Sequence, residues 1–533
     1  MDITSPVNLW KDYDVATLPL NSYPLSQKAE AGKTVKEYYF DGYTTVDGRV
    51  RAYIKIYENP APKGVILYLP CREPELSDKI RDLLFDSGYT VAELDYLGKN
   101  DKNARYTIYP KSLVGCNSIG IKEFDIASDE KYTRWYIWTC IARRAALLLK
   151  GLYDDSKIFA VGAGLGGSTV YKLTAFDDGL TACATLLNIL PTVKGEGNAI
   201  INYHASLDNY AYAPISKVPL FMAVSSNDED GSIDEISALA CVTESLVHFR
   251  IIERGFHSSI VTACPALDKF LQNAANGTVN KLRPQITASN SDGNLYYNIT
   301  IDGDEQSEED GEQSSGKTYK PSLYVSFCDT PSPYRSWMNI KTISLGNNKF
   351  MAQINVCQSD RPIYAFANIT DDDGTVHSSP LLMVMPKSLG VTARAGIAHR
   401  KIYDGSMGTD CWATQNGGTI RLVQGPYGID GVTSDTKNLV TFKPGDPLFK
   451  VPTDTLLQIM LAGKPQTVTI RVNDGENKYS CYVDIANAED WHKFSLAHNN
   501  FKSDYGTLCN WSKILTLEFS SDEEFTIGSV LWV

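Results

Sequence analysis

AVGAGLGG, residues 160–167, decides how the first half of this chain is read. It follows the apolar run KIF and leads into STVYKLTAF, which reads as a helix. A glycine-rich turn between a strand and a helix holds something reactive or something phosphorylated, yet the centre of this one carries no functional side chain. Gly162, Gly164 and Gly167 fit G-x-G-x-x-G, in which a pyrophosphate approaches a helix N-terminus. Against a nucleotide, the next strand ends on Asn188 where an acidic residue is wanted. A hairpin and two strands also precede the motif, which belongs in the first βαβ unit. The same stretch fits a G-x-S-x-G elbow, with Gly162 and Gly166 as flanks and Gly167 extending the small surface into the helix. Gly164, followed by Leu165, then stands where the motif wants a serine.

Working outward, GVILYLP (64–70), TVAELDY (90–96), KIFAVG, TACATLLN (181–188), PLFMAVSS (219–226) and SLVHFRII (245–252) are short, continuous apolar strands. Helical patterns separate them, over ELSDKIRDLLFDSG and 132–152, and a last helix runs through IVTACPALDKFLQNA. Apolar strands alternating with helices predict an α/β fold, a mostly parallel sheet covered on both faces. Residues 35–57 predict a hairpin around Asp47-Gly48. An elbow of this type is followed in chain order by an acid and then a base, each after a later strand. Asp228 follows PLFMAVSS and His257 follows SLVHFRII, in that order.

Gly162, Gly166 and Gly167, with Asp228 and His257, make residues 35–275 resemble the α/β-hydrolase superfamily, and more narrowly the acetyl-xylan-esterase and dienelactone-hydrolase type. The resemblance implies carboxylic ester hydrolysis with catalytic positions at 164, 228 and 257. The chain departs from the family at the position that matters most. Gly164 has no hydroxyl to attack a carbonyl, so covalent acyl transfer by the usual route fails. Glycine also removes the strain of about 1–3 kcal/mol that a side chain pays at such a turn. Cys71-Arg72-Glu73-Pro74 occupies a loop where related proteins often carry a His-Gly turn. Cys71 is the candidate substitute nucleophile. Ser168 is a weaker one, expected to turn away within its helix.

After about residue 277 the helical patterns stop. ITASNSDGNLYYNITIDG, PSLYVSF, KFMAQINVC, PIYAFANIT and SSPLLMVM predict a small fibronectin-like β-sandwich over 278–389, following an α/β domain at 1–277. Within it, GDEQSEEDGEQSSGK (303–317) reads as a solvated loop and not a cation site, DDDG (371–374) as a turn, and PSPYRSW (331–337) as a strand-edge plug. Residues 390–533 form a third, all-β unit. On Trp491, Phe501, Trp511 and Trp532 it resembles a jelly-roll carbohydrate-binding module. Trp491 and Trp511 are read as core. Trp412 and Tyr427, in polar glycine-rich contexts, are the candidate stacking surface for a sugar.

Composition narrows the partners. The 533 residues carry a formal charge of −13, which argues against a nucleic acid. The 11 cysteines are odd in number and scattered in apolar runs, the pattern of buried thiols in a reducing compartment. No signal peptide or spanning segment is apparent, so a cytoplasmic protein is expected, or a secreted one whose leader has been removed. No cofactor and no metal site are predicted. The expectation is an esterase-like protein, non-catalytic by the Ser-Asp-His route, that binds or scaffolds, with carbohydrate or a small ester as ligand. The alternatives are an active carbohydrate or small-ester esterase with a displaced nucleophile, and a nucleotide-binding protein using the glycine turn.

Overall fold

A computed structural model describes the chain except residues 1–3, 31, 99–104, 114–129, 177, 191–196, 280–281, 303–317, 328–329, 395–398 and 416–417. The acidic stretch 303–317 lies outside the described residues. The chain divides into two compact units. The first comprises Met1–Val224, Asp230–Arg250 and Val261–Leu282; the second comprises Ser225–Glu229, Ile251–Ile260 and Arg283–Val533.

The first unit is organised by a nine-stranded sheet: β1 (Tyr23–Glu30), β2 (Lys33–Thr45), β3 (Gly48–Glu58), β4 (Val65–Leu69), β5 (Thr90–Asp95), β6 (Ile158–Ala163), β7 (Ala182–Leu186), β8 (Leu220–Ser225) and β9 (Val247–Ile252). The spatial order is β1-β2-β3-β5-β4-β6-β7-β8-β9. Strands β1, β2 and β3 pair antiparallel, β3 meets β5 antiparallel, and the ladder β5-β4-β6-β7-β8 is parallel. Every residue of β4, β6, β7 and β8 is buried. Successive side chains on a strand point to opposite faces, so this burial means both faces of the sheet are covered, as the apolar runs predicted.

The predicted hairpin is β2–β3, turning at Asp47 and Gly48. The helices Pro74–Asp86, Arg134–Leu152, Leu165–Leu173 and Cys264–Ala275 fall where the sequence pattern put them. Thr133 caps Arg134–Leu152 by accepting from the Tyr136 N–H, a normal use of a β-region threonine. Strand β1 was not anticipated. It is mostly exposed and polar, YPLSQKAE, so it carries no apolar alternation to read.

Among the described residues from Arg283 onward, the strands pair antiparallel. A four-stranded and a five-stranded sheet lie within residues 283–384, and two six-stranded sheets within 401–532. SSPLLMVM begins on the last residue of the strand Val376–Ser378 and contains the three-residue strand Leu382–Val384, and DDDG is a turn closed by the Gly374 N–H donating to the Asp371 carbonyl. Buried side chains from both six-stranded sheets, such as Ile459 and Trp532 from one and Ile470 and Phe519 from the other, form one continuous core. Among the described residues no helix is long and apolar enough to cross a membrane.

Candidate active site

The glycine turn links β6 to the helix Leu165–Leu173, as expected. Gly164 sits at φ +56°, ψ −120°, a conformation costly to any residue with a side chain. Its N–H donates to the Leu186 carbonyl at 2.9 Å, and its own carbonyl accepts from the Ser168 N–H at 3.2 Å. The flanking glycines are required by packing. A Cβ on Gly162 would fall 2.3 Å from the Gly166 carbonyl oxygen, and one on Gly166 would fall 2.2 Å from that of Leu69. Gly167 is looser, its nearest such contact being 3.3 Å. Leu165 is buried. The close backbone approach that these glycines permit is therefore made by the protein's own strand and helix.

Both candidate substitute nucleophiles are buried. Cys71 is buried, its Sγ lies 3.0 Å from Ser77 Oγ, and burial pushes its thiol up to about 12. A thiol that stays protonated is a poor nucleophile. Ser168 is fully buried, its hydroxyl held by Asn188 Oδ1 at 2.7 Å and by the Ile189 carbonyl. Beside it lies a polar network that sequence inspection missed. Lys172, 2% exposed, places Nζ 2.5 Å from Asn209 Oδ1 and 3.3 Å from the Ser168 carbonyl, over the rings of Trp135 and Tyr212. Burial lowers its pKa to about 7, against a smaller opposing pull from Asp208.

Asp228 and His257, both in the second unit, are brought together: His257 Nδ1 lies 3.0 Å from Asp228 Oδ1. Asp228 follows β8, and His257 opens the 3-10 turn His257–Ala263 that follows β9. With a neutral imidazole beside an ionised carboxylate, this contact would put the proton on Nδ1 and leave Nε2 as the acceptor, the tautomer a general base needs.

The loops that carry the pair are gripped by the β-rich residues of the same unit. Asn227, fully buried, donates from Nδ2 to the carbonyls of Pro333 at 3.1 Å and Arg335 at 2.9 Å. Trp337 Nε1 donates to the Ser226 carbonyl at 3.4 Å. The expected strand-edge plug, PSPYRSW, thus contributes backbone acceptors and an indole donor to the acid loop. On the base side, Ser378 Oγ accepts the Ile251 N–H at 2.7 Å, and Asn368 Nδ2 reaches the Ile251 carbonyl and Glu253 Oε2. Arg254 adopts φ +53°, and its N–H donates to Ser226 Oγ at 2.7 Å. Phe256 packs on Phe442, ring centroids 5.6 Å apart. No sequence pattern marks these residues, because each acts through a contact more than a hundred positions away or through an ordinary loop asparagine or serine.

The predicted sugar platform divides. Trp412 is corrected: it is 2% exposed and packs edge-on against Tyr403 and Phe519 in the core, so it cannot stack on a ligand. Its glycine-rich context reflects tight turns around a buried ring. Tyr427 is 80% exposed, with its hydroxyl bonded to Asp490. Trp511 is buried as expected. Trp491 is half-buried, donates to the Pro426 carbonyl at 2.8 Å, and lies so close to Gly425 that a Cβ there would fall 2.4 Å from the indole.

No protein-family model matches the chain, and no curated protein matches it by sequence. Solved structures are similar to its N-terminal half. Est1E from Butyrivibrio proteoclasticus aligns at 11% identity over 48% of this chain and 100% of its own, with a TM-score of 0.30. Acetyl xylan esterase 1 from Thermoanaerobacterium sp. JW/SL YS485 aligns at 13% identity over 48% of this chain and 89% of its own, TM-score 0.35. An acetyl xylan esterase from Paenibacillus sp. R4 aligns at 13% identity over 48% and 90%, TM-score 0.36.

Proposed function

We propose that this chain is an esterase-like α/β-hydrolase-fold protein in which acyl transfer has lapsed, and that it now serves as a binding or scaffolding protein for carbohydrate. The observation that carries the reading is Gly164, a bare residue at the centre of the strand–helix turn. Without an oxygen or sulfur there, no acyl-enzyme forms at that position. In this reading residues 278–389 are a fibronectin-like spacer, and 390–533 are a jelly-roll carbohydrate-binding module. A reducing, cytoplasmic setting belongs to the same reading and is supported by nine cysteines that form no disulfide among the described residues. The ligand would then be an imported oligosaccharide.

A second reading, an active esterase with a displaced nucleophile, draws support from the 3.0 Å Asp228–His257 contact. The nucleotide reading has less support, since the Gly164 N–H is already spent on Leu186. Hydrolysis of a short-chain aryl ester separates the first two. The proposal expects the protein and its His257→Ala variant to turn over at the same background rate. Turnover that disappears in His257→Ala would overturn it in favour of the displaced-nucleophile enzyme.

A further inference from the structure

The outer face of one six-stranded sheet carries a groove unrelated to the elbow. Along the strand Lys478–Ile485, Cys481, Val483 and Ile485 are buried while Lys478, Ser480 and Tyr482 face the other way. Ser480 pairs with Lys502 on the short strand Lys502–Ser503, which turns back into Gly506–Thr507. Tyr505 sits in that turn, its N–H donating to Ser503 Oγ at 3.2 Å. The turn His498–Asn500 supplies a further wall, fixed by the Ala497 N–H donating to Asn500 Oδ1 at 2.7 Å. Together these elements line a groove of about 960 Å³.

Its lining has an unusual chemistry. Tyr482 is 68% exposed and Tyr505 88% exposed. Both present large amphipathic rings to water, the property that makes tyrosine an efficient contact residue. Two cations, Lys478 and Lys502, share the groove with two anions, Glu476 and Asp504, and among the described residues none of the four forms an ion pair. The charges balance, so the groove selects neither a polyanion nor a polycation. It offers instead donors, acceptors and flat apolar faces side by side. A neutral saccharide matches this combination: hydroxyls that both donate and accept, and C–H faces that lie against aromatic rings. A nucleic acid would also stack, but its phosphates would meet Glu476 and Asp504 on a chain of net charge −13.

We propose that this groove binds a neutral oligosaccharide, with Tyr482 and Tyr505 against its sugar rings and the four charged side chains on its hydroxyls. The inference rests on the carbohydrate reading above and gives it a site distinct from the predicted Trp412 and Tyr427. Native electrophoresis of the full chain through gels containing xylan, mixed-linkage β-glucan or galactomannan tests it, with polygalacturonate as the acidic control. Retardation is expected on at least one neutral polymer. Tyr482→Ala and Tyr505→Ala should each weaken it about tenfold, with melting temperature unchanged because both rings are exposed. Retardation that survives in both variants would overturn the groove while leaving carbohydrate binding intact. No retardation on any neutral polymer, or retardation on polygalacturonate alone, would overturn both.

Discussion

The glycine turn at 162–167 and the Asp228–His257 pair are held in place by different means. The turn is a packing solution: two of its glycines exist because backbone from Leu69 and Gly166 occupies the space a side chain would need. The pair is a polar solution: the segments after β8 and β9 that carry it are held by hydrogen bonds involving Asn227, Asn368, Ser378 and the Trp337 indole, all within their own unit. The difference teaches that the two arrangements have separate supports, so that, in the reading proposed above, a change at the centre of the turn need not disturb the pair. At φ +56°, glycine at 164 avoids the backbone strain that a residue with a side chain would carry there. The carboxylate–imidazole contact depends on supports that are indifferent to whether any nucleophile exists.

The comparison breaks most sharply at Gly166. Gly166→Ala places a Cβ against the Leu69 carbonyl and should cost about 3 kcal/mol or more in urea unfolding. Gly167→Ala, with its looser surroundings, should be near neutral, because alanine also recovers about 1 kcal/mol of helix propensity. Equal effects from the two would mean that packing does not govern the turn.

Asn227→Ala is the matching test of the pair. It strips a donor from two carbonyls at a fully buried position and should cost about 2–3 kcal/mol. The long-range proton–nitrogen signals of His257 should also broaden as its tautomer ceases to be fixed. Unchanged signals, whatever the stability, would show that the loop holds the pair without this support.

A further test concerns the network beside the turn. Lys172 has its pKa lowered by burial to about 7, while an unfolded lysine titrates near 10.4. Between those values the unfolded chain binds more protons, so stability rises with pH across roughly pH 7 to 10 and is lowest below 7. Lys172→Met should flatten that rise in denaturant midpoints measured at pH 6.5, 8 and 9.5. A slope retained in the variant would assign it to other groups.

Much of this was legible in the residues, for identifiable reasons. Buried parallel strands are short unbroken apolar runs, so β4, β6, β7 and β8 announced themselves. The glycine turn was legible because close strand–helix approach demands glycine at fixed offsets. Asp228 and His257 were found by their order after successive strands. What stayed hidden depends on long-range contact. An exposed edge strand such as β1 has no periodicity to detect. Trp412 misled because turns that enclose a buried ring have the same composition as turns that display one. The grouping of Ser225–Glu229 and Ile251–Ile260 with residues beyond 282 arises from hydrogen bonds between distant positions, which no local window contains.

One feature of the last β region bears on how the protein is made. The strand Phe525–Trp532 pairs with Leu457–Gly463 and also with Lys401–Asp404 and Val432, so it joins what would otherwise be separate pieces of one sheet. It also sends Phe525, Ile527, Val530 and Trp532 into the core. During synthesis, residues 401–463 leave the ribosome well before their central partner exists. That sheet must therefore assemble after translation of this segment, with unpaired edges exposed in the interval. Nascent chains halted before residue 525 should be the ones that chaperones capture.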